Sequence, residues 1–521
     1  MRLVEADYII VGGGTAGCVL ANELTQDRSS SVVMIETGPR YNPVFLGAPL
    51  ASLRYSGRFM SHWHTTPQRG AYQRRVHTPT GRVLGGGSSV NAMIFNIGHP
   101  VNYDEWRDAG NRGWGWLDML PYLREVERRL PASMPAFRHP FSEVFVSGLA
   151  ELGYRRNDGF VDGSVESAGV FRVAQRHGRR ASAATAFLRP ARHRSNLTTL
   201  TGTRVRRVLI EHGRAVGVEY EDDEGVHQAR ARREVVVSAG AVGTPHLLML
   251  SGLGPAAHLT EFGIDVVADL PGVGQNLRDH LRLPVAYGSP YQSGTRQVVS
   301  SGALPFVAGR GIITSNNCES GGFVSCGPES RVPNVQYVTH WRQEADASVV
   351  DFEPCLVDAH STGSVRLASA DPAAAPLIDP GYLRDPRDVD VLVAAVRQCR
   401  EIARTRSLRD AGVQAEVAPG FAVADDDDIA AYVRVNIETC FHFACTARMG
   451  HDADAVVDDE LRVHGVSQLR VVDASIMPTL INSNTSGPTM AIALKAARLI
   501  RGLGDRSLAD DPAHVRRSPD A

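Results

Sequence analysis

Gly12, Gly14 and Gly17 stand in the spacing G-x-G-x-x-G, and Glu36 follows Gly17 by nineteen residues. This set of residue types suits the holding of a dinucleotide. Gly12 allows a tight turn, Gly14 lets backbone N–H groups approach a pyrophosphate, and Gly17 lets a helix lie close to the preceding strand. An acid roughly 20 residues further on accepts hydrogen bonds from ribose hydroxyls and repels a 2′-phosphate. Other chemically capable groups are less organised. His62 and His64 could begin a metal site, but no third ligand follows at a useful spacing, so no metal is expected. The seven cysteines (Cys18, Cys318, Cys326, Cys355, Cys399, Cys440 and Cys445) are odd in number and scattered without a CxxC pattern, which points to reduced thiols. The acidic run 425–428 reads as the capped N-terminus of a helix rather than a metal site.

The glycines can do this work only if a strand delivers the chain into the turn and a helix leaves it. Residues 8–11 form an apolar run typical of a buried parallel strand, 18–24 continue as a helix, and 32–35 form a second strand ending in Glu36. The pyrophosphate then sits on the positive end of that helix. The unit is a βαβ dinucleotide grip that by itself leaves FAD and NAD as equal candidates.

With 521 residues, 43% hydrophobic and 21% charged, the chain has room for two or three domains. A net charge of −2 recommends neither nucleic acid nor an anionic membrane as partner. Only Lys495 among the 55 basic residues is lysine, a weak hint of a GC-rich bacterial coding sequence. The first strand begins within seven residues of Met1 and no run reaches 18 apolar residues, so a soluble cytoplasmic protein is expected.

Residues 40–75 read as a loop-rich excursion, and 81–93, GRVLGGGSSVNAM, follow. Three glycines and two serines in a row do not make a stable helix; such a segment suits backbone laid against a flat ligand. Together with the N-terminal grip, this stretch resembles the first signature (GGxSSxxN) of the glucose-methanol-choline family of FAD-dependent oxidoreductases, choline dehydrogenase-like branch. Residues 237–254, VSAGAVGTPHLLMLSGLG, resemble the second signature. Residues 271–280, PGVGQNLRDH, and 363–390 match further family segments. The resemblance implies FAD rather than NAD. It also implies an α/β fold (α+β overall), in which a Rossmann-like FAD-binding domain carries a discontinuously inserted antiparallel-sheet substrate domain. The expected division is 1–160, 195–285 and 430–521 for FAD, and 161–194 and 286–429 for substrate, where the chain is least family-like and specificity usually resides. Alongside the grip and Glu36, the implied cofactor residues are Thr15, Ala16, Trp63, Gly86, Asn91, Ala92, Met93, Val205 at the adenine, Asp473 and Ala474.

The same resemblance places the chemistry in 440–450, CFHFACTARMG, where the family carries HPVGTCRMG. His442 matches its catalytic histidine, and Asn484, 42 residues later, matches the second active-site position. The implied reaction is oxidation of a primary alcohol to an aldehyde, with hydride passing to the flavin. A neutral imidazole takes the hydroxyl proton and an asparagine steadies the alkoxide. Phe441 is expected in the pocket wall. Val90 stands where choline-oxidase-like relatives carry a flavin-linking histidine, so non-covalent FAD is expected. The residues after His442 depart from the motif, with Cys445 and Ala447 at its glycine and cysteine positions. A non-oxidising enzyme of the same fold, of the lyase or photodecarboxylase type, is therefore the alternative. A flavin binder without turnover is disfavoured by the intact pair His442 and Asn484. Neither the alcohol, the acceptor (dioxygen or another), nor the oligomeric state is encoded in a motif.

Overall fold

The computed structural model describes residues 3–503 apart from 42, 51, 53–55, 292–303, 328–331 and 345–346. Parts of the expected 1–160, 286–429 and 430–521 segments therefore lie outside the described residues. The N-terminal pattern produces a seven-stranded sheet in the order Arg204–Glu211, Arg214–Asp222, Gly225–Val237, Leu3–Val11, Val32–Glu36, Leu197–Thr201, with Leu469–Val471 pairing on Gly225–Val237. Leu3–Val11 runs parallel to both neighbours. Ile9, Ile10, Val11 and 32–35 are buried, as continuous apolar runs in a covered parallel sheet should be. The 13-residue strand Gly225–Val237 does two jobs. Residues 225–230 close an antiparallel meander with Arg214–Asp222, and residues 228–237 run parallel to Leu3–Val11.

Helix Thr15–Leu24 starts three residues before the apolar run that marked it, so Gly17 lies inside the first turn. It is buried nearly throughout because Ser486–Ile500, itself almost wholly buried, packs on its far side. The 40–75 excursion is less irregular than expected, since Met60–His64 pairs with His77–Gly81 as a ribbon.

A second, eight-stranded antiparallel sheet runs Glu416–Ala418, Ala286–Gly288, Ala347–Leu356, Val335–Glu344, Ser320–Val324, Ser167–Val170, with Leu281–Arg282 bridging Ala347–Leu356 to Glu438–Thr439. Pro386–Ala403 and Phe141–Glu151 cover one face around a core that includes Phe145, Tyr337 and Phe352. The acidic run behaves as read from the sequence: Asp425 Oδ1 accepts from the Asp428 N–H at 2.8 Å and caps Asp426–Asn436. No helix among the described residues is long and apolar enough to cross a membrane. Helices on a parallel sheet plus a separate antiparallel sheet make the chain α/β, α+β overall, and the space between the two sheets holds the site.

Candidate active site

Gly12 has φ +103°, and a Cβ there would lie 2.4 Å from Ser238 O; a Cβ on Gly17 would lie 1.9 Å from Gly12 O. The protein's own backbone therefore demands glycine at both. Gly14 differs, because a Cβ there would meet no protein atom closer than 3.8 Å. The room beside it belongs to a cavity. Gly14 is the N-cap of Thr15–Leu24, which has no side-chain cap and no acid in its first turn, leaving N–H donors for an anion.

Residues 81–93 close over this turn. Gly86–Ser89 make a single 3₁₀ turn, the Gly85 N–H donates to Gly13 O at 2.8 Å, and a Cβ on Gly86 would lie 2.9 Å from Gly14 Cα. Asn91 Oδ1 accepts from the Met93 N–H and from the buried Arg180 guanidinium, which orients it. Glu36 is buried and accepts from the Gly13 N–H at 2.8 Å and the Gly38 N–H at 2.7 Å. Burial pushes its carboxyl up, and the two amides oppose that. The acid thus braces the glycine turn, a role the spacing did not reveal, and each oxygen keeps a lone pair for a hydroxyl donor.

Trp63 donates its indole N–H to Thr80 Oγ1 at 2.9 Å. Asp473 accepts from the Gly240 N–H, the Thr244 hydroxyl and the Ser475 N–H, clamping the VVDAS strand to the second signature. The cavity these groups share measures about 1050 Å³, at the upper end of the roughly 300–1,000 Å³ usual for small-molecule sites. Gly12, Gly14, Thr15, Ala16, Glu36, Trp63, Gly86, Asn91, Ala92, Met93, Val205, Asp473 and Ala474 all line it, and so do Phe441, His442 and Asn484. Gly17 does not; it lies beneath the turn and sets how closely helix and strand approach. Arg82 and Arg204 line the cavity as well and add positive charge. Uncapped amides, an open glycine, basic side chains and one ribose-type acid fit FAD.

The loop bearing His442 is held on two sides. Ala444 exchanges backbone hydrogen bonds with Arg278, while the N–H groups of Cys445, Ala447 and Met449 donate to the carbonyls of Ala474, Ser475 and Ile476. Asp279, buried and pushed up to about 6 by desolvation, accepts from the His442 backbone N–H at 2.8 Å as well as from Tyr382 and Thr439. His442 Nδ1 lies 2.9 Å from Nδ1 of His280, the rings being nearly perpendicular. His280 is fully buried, and its Nε2 has no hydrogen-bond partner among the described residues. One Nδ1 donates to the other, so the contact occupies Nδ1 of His442 and leaves its Nε2 outside this pair. Burial lowers the His442 pKa to about 4, which keeps the ring neutral.

Asn484 Oδ1 accepts from Gln336 Nε2 at 3.2 Å; its Nδ2 makes no hydrogen bond among the described residues. The amide is thereby oriented with its donor spare. Phe441, half exposed beneath the Arg282 guanidinium, is a wall of the cavity and no core residue. Sequence reading missed His280, Asp279 and Gln336. The first two end the PGVGQNLRDH segment, whose placement against the His442 loop was the available signal; Gln336 had none.

Cys445, at the family's glycine position, adopts φ +75°. It is buried, and desolvation pushes its thiol up to about 12, so it is a packing residue and no nucleophile. Left-handed backbone costs a non-glycine residue roughly 1–2 kcal/mol. Cys445→Gly should therefore be more stable than Cys445→Ala by about 1 kcal/mol despite being smaller, as read by thermal unfolding. The opposite order would mean the loop does not need this conformation.

Two GMC oxidoreductase family models match the chain, one over residues 6–282 and one over 359–493. The chain is 39% identical over 530 residues to an alcohol dehydrogenase [acceptor] of Pseudomonas putida, covering 95% of each. It is 36% identical to human mitochondrial choline dehydrogenase, covering 96% of this chain and 90% of that one. Among solved structures, pyridoxine 4-oxidase from Mesorbium loti superposes with a TM-score of 0.87 at 30% identity, over 95% of this chain and 99% of that one. Matching from the glycine grip through to the loop of His442 and beyond Asn484, the chain belongs to the GMC oxidoreductase family and is an FAD-dependent oxidoreductase.

Proposed function

We propose that the protein oxidises a primary alcohol to the aldehyde, with His442 as base, Asn484 as alkoxide donor and non-covalently held FAD. The observation that carries this reading is that a buried, neutral His442, held through Nδ1 by His280, and an oriented Asn484 amide both stand on the wall of one cavity that also holds the dinucleotide cradle. FAD, when bound, supplies the two-electron acceptor. His442 takes the hydroxyl proton, and Asn484 Nδ2 donates to the oxygen as charge develops there. The expected division into FAD segments 1–160, 195–285 and 430–521 and substrate segments 161–194 and 286–429 is kept as part of the proposal. So are reoxidation by dioxygen or another acceptor and a cytoplasmic location, which free cysteines favour. The lyase or photodecarboxylase reading is kept as the alternative, and the burial of Cys445 speaks against that thiol as its reacting group.

The cavity's own charges narrow the alcohol. Its lining carboxylates are Glu36, Asp473 and Glu353, and each already accepts two or more hydrogen bonds; Glu353 takes His340 at 2.7 Å and Arg282 at 3.1 Å. Among the described residues no unpaired carboxylate awaits a trimethylammonium group, so an uncharged primary alcohol is the better substrate. Steady-state aldehyde formation with a dye acceptor tests this. The uncharged isostere of choline, a tert-butyl group replacing trimethylammonium, should show the higher kcat/KM; a clear preference for choline would refute the charge argument, and no aldehyde from any primary alcohol would refute the function.

Val90 is buried at the cavity wall and offers no nucleophile to the flavin. Acid precipitation of the yellow protein should leave the flavin in the supernatant; colour retained on the pellet would show a covalent link elsewhere.

A further inference from the structure

Cys318, His340 and Glu353 form a second constellation on the cavity wall that alcohol oxidation does not use. Cys318 lies two residues before Ser320–Val324, His340 on Val335–Glu344 and Glu353 on Ala347–Leu356, three successive strands of the second sheet. Cys318 Sγ is 3.4 Å from His340 Nδ1, and His340 Nε2 is 2.7 Å from Glu353 Oε2. Glu353 is fixed in turn by the Arg282 guanidinium. Thiol, imidazole and orienting carboxylate in sequence are the parts of an activated nucleophile. Asn316, whose side chain donates to Ala92 O at 2.8 Å, ties this corner to the first signature.

The other thiols are placed differently. Burial pushes up those of Cys18, Cys326, Cys399, Cys440 and Cys445, and Cys355 Sγ donates to the Glu353 carbonyl of its own strand. Among the described residues Cys318 alone has an imidazole partner. Burial works against a charge on His340, but the neighbouring Cys318 and Glu353 outweigh it and hold the ring's pKa well above the ordinary value.

We propose that Cys318 is a nucleophilic thiol that adds reversibly to the carbonyl of an aldehyde in the cavity, giving a thiohemiacetal. The S–H proton passes to His340 as the C–S bond forms, the carbonyl π pair moves onto oxygen, and His340 returns the proton there. Nothing is oxidised or reduced. The source of the aldehyde rests on the alcohol-oxidation reading; the reactivity of the thiol does not.

The test treats the flavin-loaded protein with limiting iodoacetamide and maps the alkylated peptides. Cys318 should react about ten-fold or more faster than any of the other six thiols, and His340→Phe should remove most of that advantage. Aldehyde carrying a labelled carbonyl carbon is then added, and carbon NMR should show the label moving into the sp³ region in wild type but not in Cys318→Ala or Cys318→Ser. Alkylation of Cys318 no faster than that of the others, or a label that stays in the carbonyl region in wild type, would overturn the proposal. Fast alkylation and adduct formation in a protein that oxidises no alcohol would uphold Cys318 and sink the alcohol reading alone.

Discussion

His442→Ala is expected to lower kcat and kcat/KM for alcohol oxidation together by about 10² to 10⁴-fold, the usual contribution of a positioned base. FAD binding should survive, because what anchors this loop is the backbone: the His442 N–H on Asp279 and the N–H groups of Cys445, Ala447 and Met449 on 474–476. The substitution leaves His280 Nδ1 without its partner, so an unchanged flavin absorption spectrum is the necessary control for local damage. The pH profile gives an independent readout. His442 must be neutral to accept a proton, so activity is lost as pH falls through its pKa. Because burial sets that value near 4, the acid limb of kcat/KM should lie well below 6.5. A His442→Ala protein with near-wild-type kcat, or an acid limb at or above the ordinary imidazole value, would remove His442 from the role of base.

Glu36→Ala should weaken FAD retention by two separate routes. It removes charge-assisted hydrogen bonds to ribose, each worth roughly 1.5–3 kcal/mol. It also strips the acceptors from the Gly13 and Gly38 N–H groups, leaving buried donors that cost about 1–3 kcal/mol each. Even one of these effects, expressed in cofactor binding, corresponds to roughly five-fold or more in affinity. Glu36→Gln separates them poorly by design: with both carboxylate oxygens accepting from backbone N–H groups, an amide must turn its NH₂ toward one of them, so little rescue is expected. Dialysis followed by flavin quantification reads the result. Full occupancy in Glu36→Ala would show that neither the ribose contact nor the brace on the turn matters to cofactor binding.

The cradle was legible because its constraints are local. Gly17 is demanded by the Gly12 carbonyl of the same turn, and the strand, helix and second strand lie within 30 residues of each other in sequence, so spacing carries the geometry, although Gly12 is also pressed by the distant Ser238 carbonyl. The proposed catalytic pair was legible only by resemblance to a family, since His442 and Asn484 reach one cavity through loops that no periodicity encodes. His280 and Gln336 escaped notice for the same reason: their partners are 162 and 148 residues away. The cysteines illustrate the limit best. Cys445 drew attention for standing at an unusual motif position, yet its distinction is a left-handed backbone, whereas Cys318 acquires its imidazole only when strands of the second sheet pair. The bracing of the turn by Glu36 was likewise invisible, because spacing reports that an acid is present and not which amides surround it.

The claim that this chain removes hydrogen from an alcohol carbon is tested most directly by anaerobic mixing of the flavin-loaded protein with an uncharged primary alcohol while the flavin band is followed. Bleaching is expected in a single turnover, slowed when the carbinol carbon carries deuterium, with one aldehyde formed per flavin. A flavin band that stays unchanged with every primary alcohol tried, in protein shown to hold FAD, would contradict it.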